Sequence, residues 1–308
     1  MSDGQDCGEL WREYCDRFAD MAAEGLRPGC HPRLLRHDRP AGRALVLVHG
    51  LSDSPAFLGA VAEHFHRCLG YDVYLPLLAG HGLRQPRGMR GVRLEQWLDN
   101  VLFAVAAAAR GGAVVSLGGL STGGALALLL AMGEEAGDGD LFLFSPALGL
   151  ADGPWGFSGP VKERLLKQRW VAAADRLLDM ALPLVRRHPW RYDRVPLVAA
   201  AQLVRLMERL AGLDVACAPG FAKRIFAAWS ECDRVVSVVR IRALAERAGT
   251  GRFHPFVLPV SAGVAHASVV LQRPVYGVGG GGQPLEAANP RFAAMLAAIE
   301  AFSAGTSC

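Results

Sequence analysis

The residues with the clearest chemical potential are Gly119-Leu120-Ser121-Thr122-Gly123, a G-x-S-x-G lying between an apolar run and an apolar helical stretch. A tight turn from strand to helix forces strained dihedrals on its central serine. Glycines on either side remove the side chains that would clash there. Such a turn holds the hydroxyl at the carboxyl edge of a sheet, where clefts of open α/β sheets form. The competing reading is a helix N-cap serine with glycine neighbours. A serine hydroxyl is a poor nucleophile unaided, so the chemical reading requires a base and an orienting acid.

Two downstream segments supply them. Asp233, in Ser230-Glu231-Cys232-Asp233-Arg234-Val235-Val236, follows one expected strand, and His266, in Gly263-Val264-Ala265-His266, follows the next. The chain order Ser, Asp, His is the one used with a strand–turn–helix serine. The alternatives are a helix N-cap for Asp233 and a surface loop for His266. Upstream, the run Ala44–Val48 leads into His49-Gly50-Leu51-Ser52-Asp53. A glycine here lets the backbone approach the serine, so the N–H groups of Leu51 and Thr122 are the expected oxyanion hole. Thr122 also opens a helix, whose N-terminus favours negative charge. His49 reads as a structural histidine hydrogen-bonded beneath this loop.

The elements needed to position these groups are present in the pattern. The short apolar run Ala44–Val48 reads as a buried strand, and Tyr71–Leu75, Ala113–Leu117, Leu141–Phe144, Arg224–Trp229 and Phe253–Leu258 read as further strands. Helical stretches are expected at 8–24, 54–68, 94–110, 122–132, 238–248 and 290–302. This alternation predicts an α/β protein with right-handed crossovers and a mostly parallel sheet covered on both faces. It breaks at residues 151–215, which carry helical periodicity and no convincing strand. That segment is expected to be a helical cap, or lid, over a core formed by 1–150 and 216–308, with 1–42 as helix and lead-in.

Composition narrows the class. Of 308 residues, 51% are apolar and 20% charged, enough to bury a large core and to exclude a disordered chain. The net charge of +4 is too mild to imply nucleic acid. The longest apolar runs fall short of the roughly 18 residues of a membrane span. The first residues lack the basic and apolar regions of a secretory signal, and seven scattered cysteines form no C-x-x-C pair. A cytoplasmic location with reduced thiols is the expectation.

The segments ALVLVHGLSDSP, YLPLLAGHG, GGLSTGG, LFSPAL, SECDRVV and the late histidine occur in an order that resembles the α/β-hydrolase superfamily. The likeness is to its carboxylesterase and monoacylglycerol-lipase-like branch, which shares patterns with the serine aminopeptidases. It covers about residues 34–300 apart from the insertion. The resemblance implies an α/β-hydrolase fold with an eight-stranded type of sheet, a helical cap, a Ser121–His266–Asp233 triad and no cofactor. Where that family carries P-G-H-G, this chain has Ala79-Gly80-His81-Gly82, and its histidine loop lacks the usual Gly-His pair.

The implied reaction is cleavage of a small-molecule carboxylic ester with an apolar acyl group, through an acyl-serine. Amide, peptide or carbon–carbon bond hydrolysis would use the same three residues, and a non-catalytic ligand-binding protein on this scaffold is a further alternative. Trp155, Phe157, Trp170 and Trp190 are the candidate substrate-binding aromatics. Leu203, Leu206 and Met207 are further apolar candidates that could equally pack the cap on the core. No metal site is expected, because His64 and His66, two apart on a helix, do not share a face.

Overall fold

The computed structural model describes residues 3–17, 25–39, 41–84, 86–110, 112–133, 137–153, 158–168, 170, 175, 181–183, 188–213, 223–279 and 282–305. A first helix, α1 (Asp3–Arg17), precedes a short strand, β1 (Arg33–Leu35). There follow β2 (Arg43–Val48), α2 (Gly59–Arg67), β3 (Asp72–Leu75), α3 (Leu94–Ala109), β4 (Val114–Leu120), α4 (Thr122–Ala131) and β5 (Leu141–Phe144). Next come α5 (Gly159–Leu166), β6 (Ala181–Pro183), β7 (Arg194–Pro196) and α6 (Leu197–Ala211). The chain then returns through β8 (Ile225–Ser230), α7 (Val238–Ala248), β9 (Phe253–Leu258) and α8 (Phe292–Ala304).

Seven strands form the main sheet in the order β1-β3-β2-β4-β5-β8-β9. All neighbours are parallel except β1 with β3. Side chains alternate faces along a strand, and the sheet uses that alternation to feed two cores. Ala44, Val46 and Val48 of β2, with Leu141 and Leu143 of β5, pack beneath α3, α4, α6 and α7. Leu45, Leu47, Phe142 and Phe144 face the opposite way, against α2 and α8. Strands apolar on both faces are what a sheet covered on both sides demands.

Three expectations need correction. The sheet has seven strands among the described residues, not the eight the resemblance implies. The opening helix spans Asp3–Arg17 rather than 8–24, of which 18–24 lie outside the described residues. Residues 151–215 are not free of strands, since β6 pairs antiparallel with β7. Ala-Leu-Pro and Arg-Val-Pro are too short to show a period of two, and each ends in a residue that cannot donate to a ladder. The edge strand β1, Arg-Leu-Leu, is hidden for the same reason of length. In α6, Leu203, Leu206 and Met207 turn into the core shared with α3 and α4.

Candidate active site

Ser121 joins β4 directly to α4 and has φ 55°, ψ −114°. It is one of two non-glycine residues with positive φ among those described. A non-glycine residue persists in that region only where its surroundings over-determine it. Its N–H donates to Phe144 O at 2.9 Å, and its carbonyl accepts from Ala125 and Ala147 N–H, each at 3.0 Å. The flanking glycines are a steric requirement. A Cβ on Gly119 would lie 2.4 Å from Gly123 C, and one on Gly123 would lie 2.1 Å from Val48 O. Helix α4 can press against the end of β2 only because those positions carry no side chain. The other strained residue, Ser145 (φ 41°), immediately follows β5 on the neighbouring strand.

Asp233 and His266 follow β8 and β9, at the same carboxyl edge as Ser121. His266 Nδ1 donates to Asp233 Oδ2 at 2.6 Å. The other oxygen, Oδ1, accepts from Val235 N–H at 2.9 Å and Val236 N–H at 3.0 Å. The carboxylate is thus anchored to its own loop by one oxygen and to the imidazole by the other. Burial pushes the Asp233 carboxyl up, but the imidazole and the two backbone donors outweigh it and hold the group below the usual carboxylate range. The two loops are tied together below the site. Ser230 Oγ donates to Val264 O at 2.6 Å and accepts from Cys232 N–H at 3.1 Å. Asp233 is therefore no exposed cap, and α7 is capped by Ser237 instead.

The loop after β2 passes beside Ser121, where a Cβ on Gly50 would lie 3.4 Å from Ser121 Cβ. The N–H groups of Leu51 and Thr122 have no hydrogen-bond acceptor among the described residues, as a site awaiting an oxyanion requires. Two buried histidines support this loop. His49 Nδ1–H donates to Gly50 O at 2.9 Å, while its Nε2 accepts from Leu78 N–H at 3.1 Å. His81 Nε2–H donates to Leu51 O at 2.7 Å. Burial holds both below the normal histidine pKa, His49 at about 3. The alanine at position 79 also has a reason. Its N–H donates to Asn100 Oδ1 at 2.7 Å, a bond that proline could not make.

Sequence reasoning missed a charged cluster at this site. Asp53, 2% exposed, closes the loop after β2, with its N–H donating to Gly50 O at 3.1 Å. Its Oδ2 occupies the space that a Gly50 side chain would fill. Arg191 Nε donates to Asp53 Oδ1 at 2.7 Å and to Ser52 Oγ at 3.2 Å, and Nη1 pairs with Glu286. Burial pushes the Asp53 carboxyl up, and the Arg191 guanidinium leads the charges that bring it below its ordinary value. Arg191, Glu286 and His266 line a cleft of about 710 Å³ together with Val235, Val264 and Leu285. No local pattern signals a guanidinium pairing with a carboxylate 138 residues away.

Of the aromatic candidates, Trp155 and Phe157 lie outside the described residues. Trp170 is 60% exposed, and Trp190 lines a separate depression with Phe57 and Val270. The structure does not bring these two tryptophans to the cleft beside His266. Among the described residues, His37, His66 and Asp72 place one nitrogen or oxygen each within 4.8 Å of one another. Asp72 opens β3, so this group lies at the sheet edge away from Ser121.

The fold resembles that of many solved structures. A metagenome-derived lipolytic enzyme from work on LipS and LipT superposes with a TM-score of 0.69 at 19% identity, covering 91% of this chain and 99% of that one. The monoacylglycerol lipase of Paleococcus ferrophilus gives 0.63 at 16% identity, over 90% and 100%. A soluble variant of the Saccharomyces cerevisiae monoglyceride lipase gives 0.67 at 12% identity, over 90% and 91%. No curated protein sequence matches the chain. The parallel sheet, its helices and these likenesses establish the α/β-hydrolase fold. A family model described as serine aminopeptidase, S33, matches residues 39–260, well over half the chain and including Ser121 and Asp233, so the chain belongs to that family of hydrolases.

Proposed function

We propose that the protein is a serine hydrolase of carboxylic esters, working through an acyl-serine on Ser121. The observation that carries this reading is the serine held at positive φ on the same sheet edge as a buried imidazole–carboxylate pair 2.6 Å apart. Ser121 Oγ attacks the ester carbonyl as His266 accepts its proton, while Asp233 fixes the imidazole tautomer. The oxyanion is received by the Leu51 and Thr122 N–H groups. His266 returns the proton to the departing alkoxide, and the alcohol leaves. Water, deprotonated by the same imidazole, then attacks the acyl carbonyl, and the proton passes to Ser121 as the acid is released.

Lipolytic and monoglyceride-lipase relatives of like fold support esters over peptides, and an apolar acyl group is part of the proposal. Residues 151–215 are the proposed cap. A cytoplasmic location belongs to the same reading, supported by the free thiols of Cys15, Cys30, Cys68 and Cys232. No helix among the described residues is long and apolar enough to cross a membrane.

A fluorophosphonate probe should label the wild-type protein at Ser121 and leave Ser121→Ala unlabelled. p-Nitrophenyl acyl esters should be hydrolysed, with kcat reduced on the order of 10⁵–10⁶ in the same variant. Cleavage of aminoacyl p-nitroanilides in preference to the esters would transfer the assignment to amide hydrolysis. Absence of any adduct would end the catalytic reading.

A further inference from the structure

Arg191 comes from the segment between β6 and β7, far in sequence from every proposed catalytic residue, yet it lines the same cleft as His266. Nε meets Asp53 and Ser52 in the loop that carries the Leu51 N–H. Nη1 meets Glu286, whose other oxygen accepts from Ser268 Oγ at 3.4 Å, two residues beyond His266. One planar cation therefore joins the oxyanion loop to the histidine loop. The three side chains are 12% (Arg191), 2% (Asp53) and 7% (Glu286) exposed, so the pairs are largely withdrawn from solvent.

Its surroundings hold Arg191 in place. The Phe57 ring lies 5.2 Å below the guanidinium. Arg27 donates to the carbonyls of His188 and Arg191, and Tyr192 N–H donates to Ser52 O at 2.8 Å. The cation is thus fixed before substrate arrives.

Asp53 makes this arrangement consequential. Its carboxylate packs on Gly50 beside Ser121, and its charge interacts with His266. A buried anion there opposes the negative charge that grows on the substrate oxygen. Removing one member of a buried pair leaves the other uncompensated, which is costlier than removing both. We propose that Arg191 is a positioning residue of the hydrolase. It cancels the Asp53 charge at the oxyanion loop and, through Glu286, fixes the loop bearing His266. This inference rests on the serine-hydrolase reading. Lysine replaces the residue only in part, because a point charge lacks the fork that meets two carboxylates at once.

The test compares wild type, Arg191→Gln, Arg191→Lys and the double variant Asp53→Asn/Arg191→Gln on p-nitrophenyl butyrate, with circular dichroism melts on each. Arg191→Gln is expected to lower kcat by about 10- to 100-fold with KM changed less than about threefold. Arg191→Lys should fall between that variant and wild type. The double variant should regain part of the lost kcat, since the Asp53 charge leaves with its partner while Glu286 stays unpaired. Wild-type kcat in Arg191→Gln, or a double variant no faster than the single, overturns the proposal. If Arg191→Gln does not fold, the double variant decides alone: folded and active supports the proposal, folded and inactive overturns it, as does failure to fold. A wild-type protein that neither turns over ester nor takes the fluorophosphonate contradicts the hydrolase reading itself, a distinguishable result.

Discussion

At the scale of single residues, the geometry of the candidate site is a matter of atoms that are missing. Ser121 reaches its strained conformation because Gly119 and Gly123 leave room for β2, β4 and α4 to meet. The obstacles to any side chain at 123 are the carbonyl oxygens of Val48 and His49, which are backbone and cannot swing aside. Gly123→Ala is therefore expected to cost about 1–3 kcal/mol by overpacking and to displace the elbow. Thermal melts and fluorophosphonate labelling check both effects, and a fully labelled variant of unchanged stability would contradict the steric argument. Asp233→Asn should keep the fold but lower kcat on the order of 10⁴, because an amide can present its N–H to the imidazole and favour the wrong tautomer. Ser121, Asp233 and His266 were legible as candidates because each lies in the connection that follows a strand signal. Asp53 was not: an aspartate in a loop reads as solvent-exposed until its distant guanidinium is known.

Among the elements, the contrast lies between what is apolar and what is short. Strands β2, β3, β5 and β8 announce themselves as buried runs, the edge strand β9 as a short apolar run that is buried only at its two ends, and the helices by their apolar periodicity. Strands β1, β6 and β7, three residues each and ending in leucine or proline, carry no signal above that of a loop. The consequence reaches the proposed cap. The segment 188–196 is bonded to the hydrolase core. Tyr192 OH donates to Gly80 O and accepts from Leu83 N–H, both at 2.9 Å. Tyr192→Phe strands a buried N–H and a carbonyl and should cost about 1–3 kcal/mol, measured by urea unfolding. A variant as stable as wild type would mean that this part of the insertion is not anchored.

The whole molecule stores its pH dependence in groups buried around the site. Burial holds His49 neutral, with a pKa of about 3, and its Nε2 is already occupied as the acceptor of Leu78 N–H. His188 is held at about 4, by burial first and then by the Arg191 charge. In the unfolded chain both titrate near 6.5. Below that pH the unfolded state gains protons that the folded state refuses, so stability falls as the pH drops toward 4 and then 3. The His49 shift alone corresponds to as much as about 5 kcal/mol at full expression, comparable to the whole stability of many domains. Asp53 and Asp233 act in a lower window. Their folded pKa values are depressed, so their contribution is present above the unfolded value near 3.8 and is lost only as pH falls below it. Unfolding free energy from urea titrations should therefore be level between pH 7 and 8 and begin to fall near pH 6.5, well before any carboxylate titrates. His49→Asn, which keeps a donor and an acceptor but cannot be protonated, should be less stable at pH 7.5 and lose less between pH 6.5 and 4.5. Equal acid slopes in the two proteins would show that the imidazole under the loop after β2 does not set the acid limit of the fold.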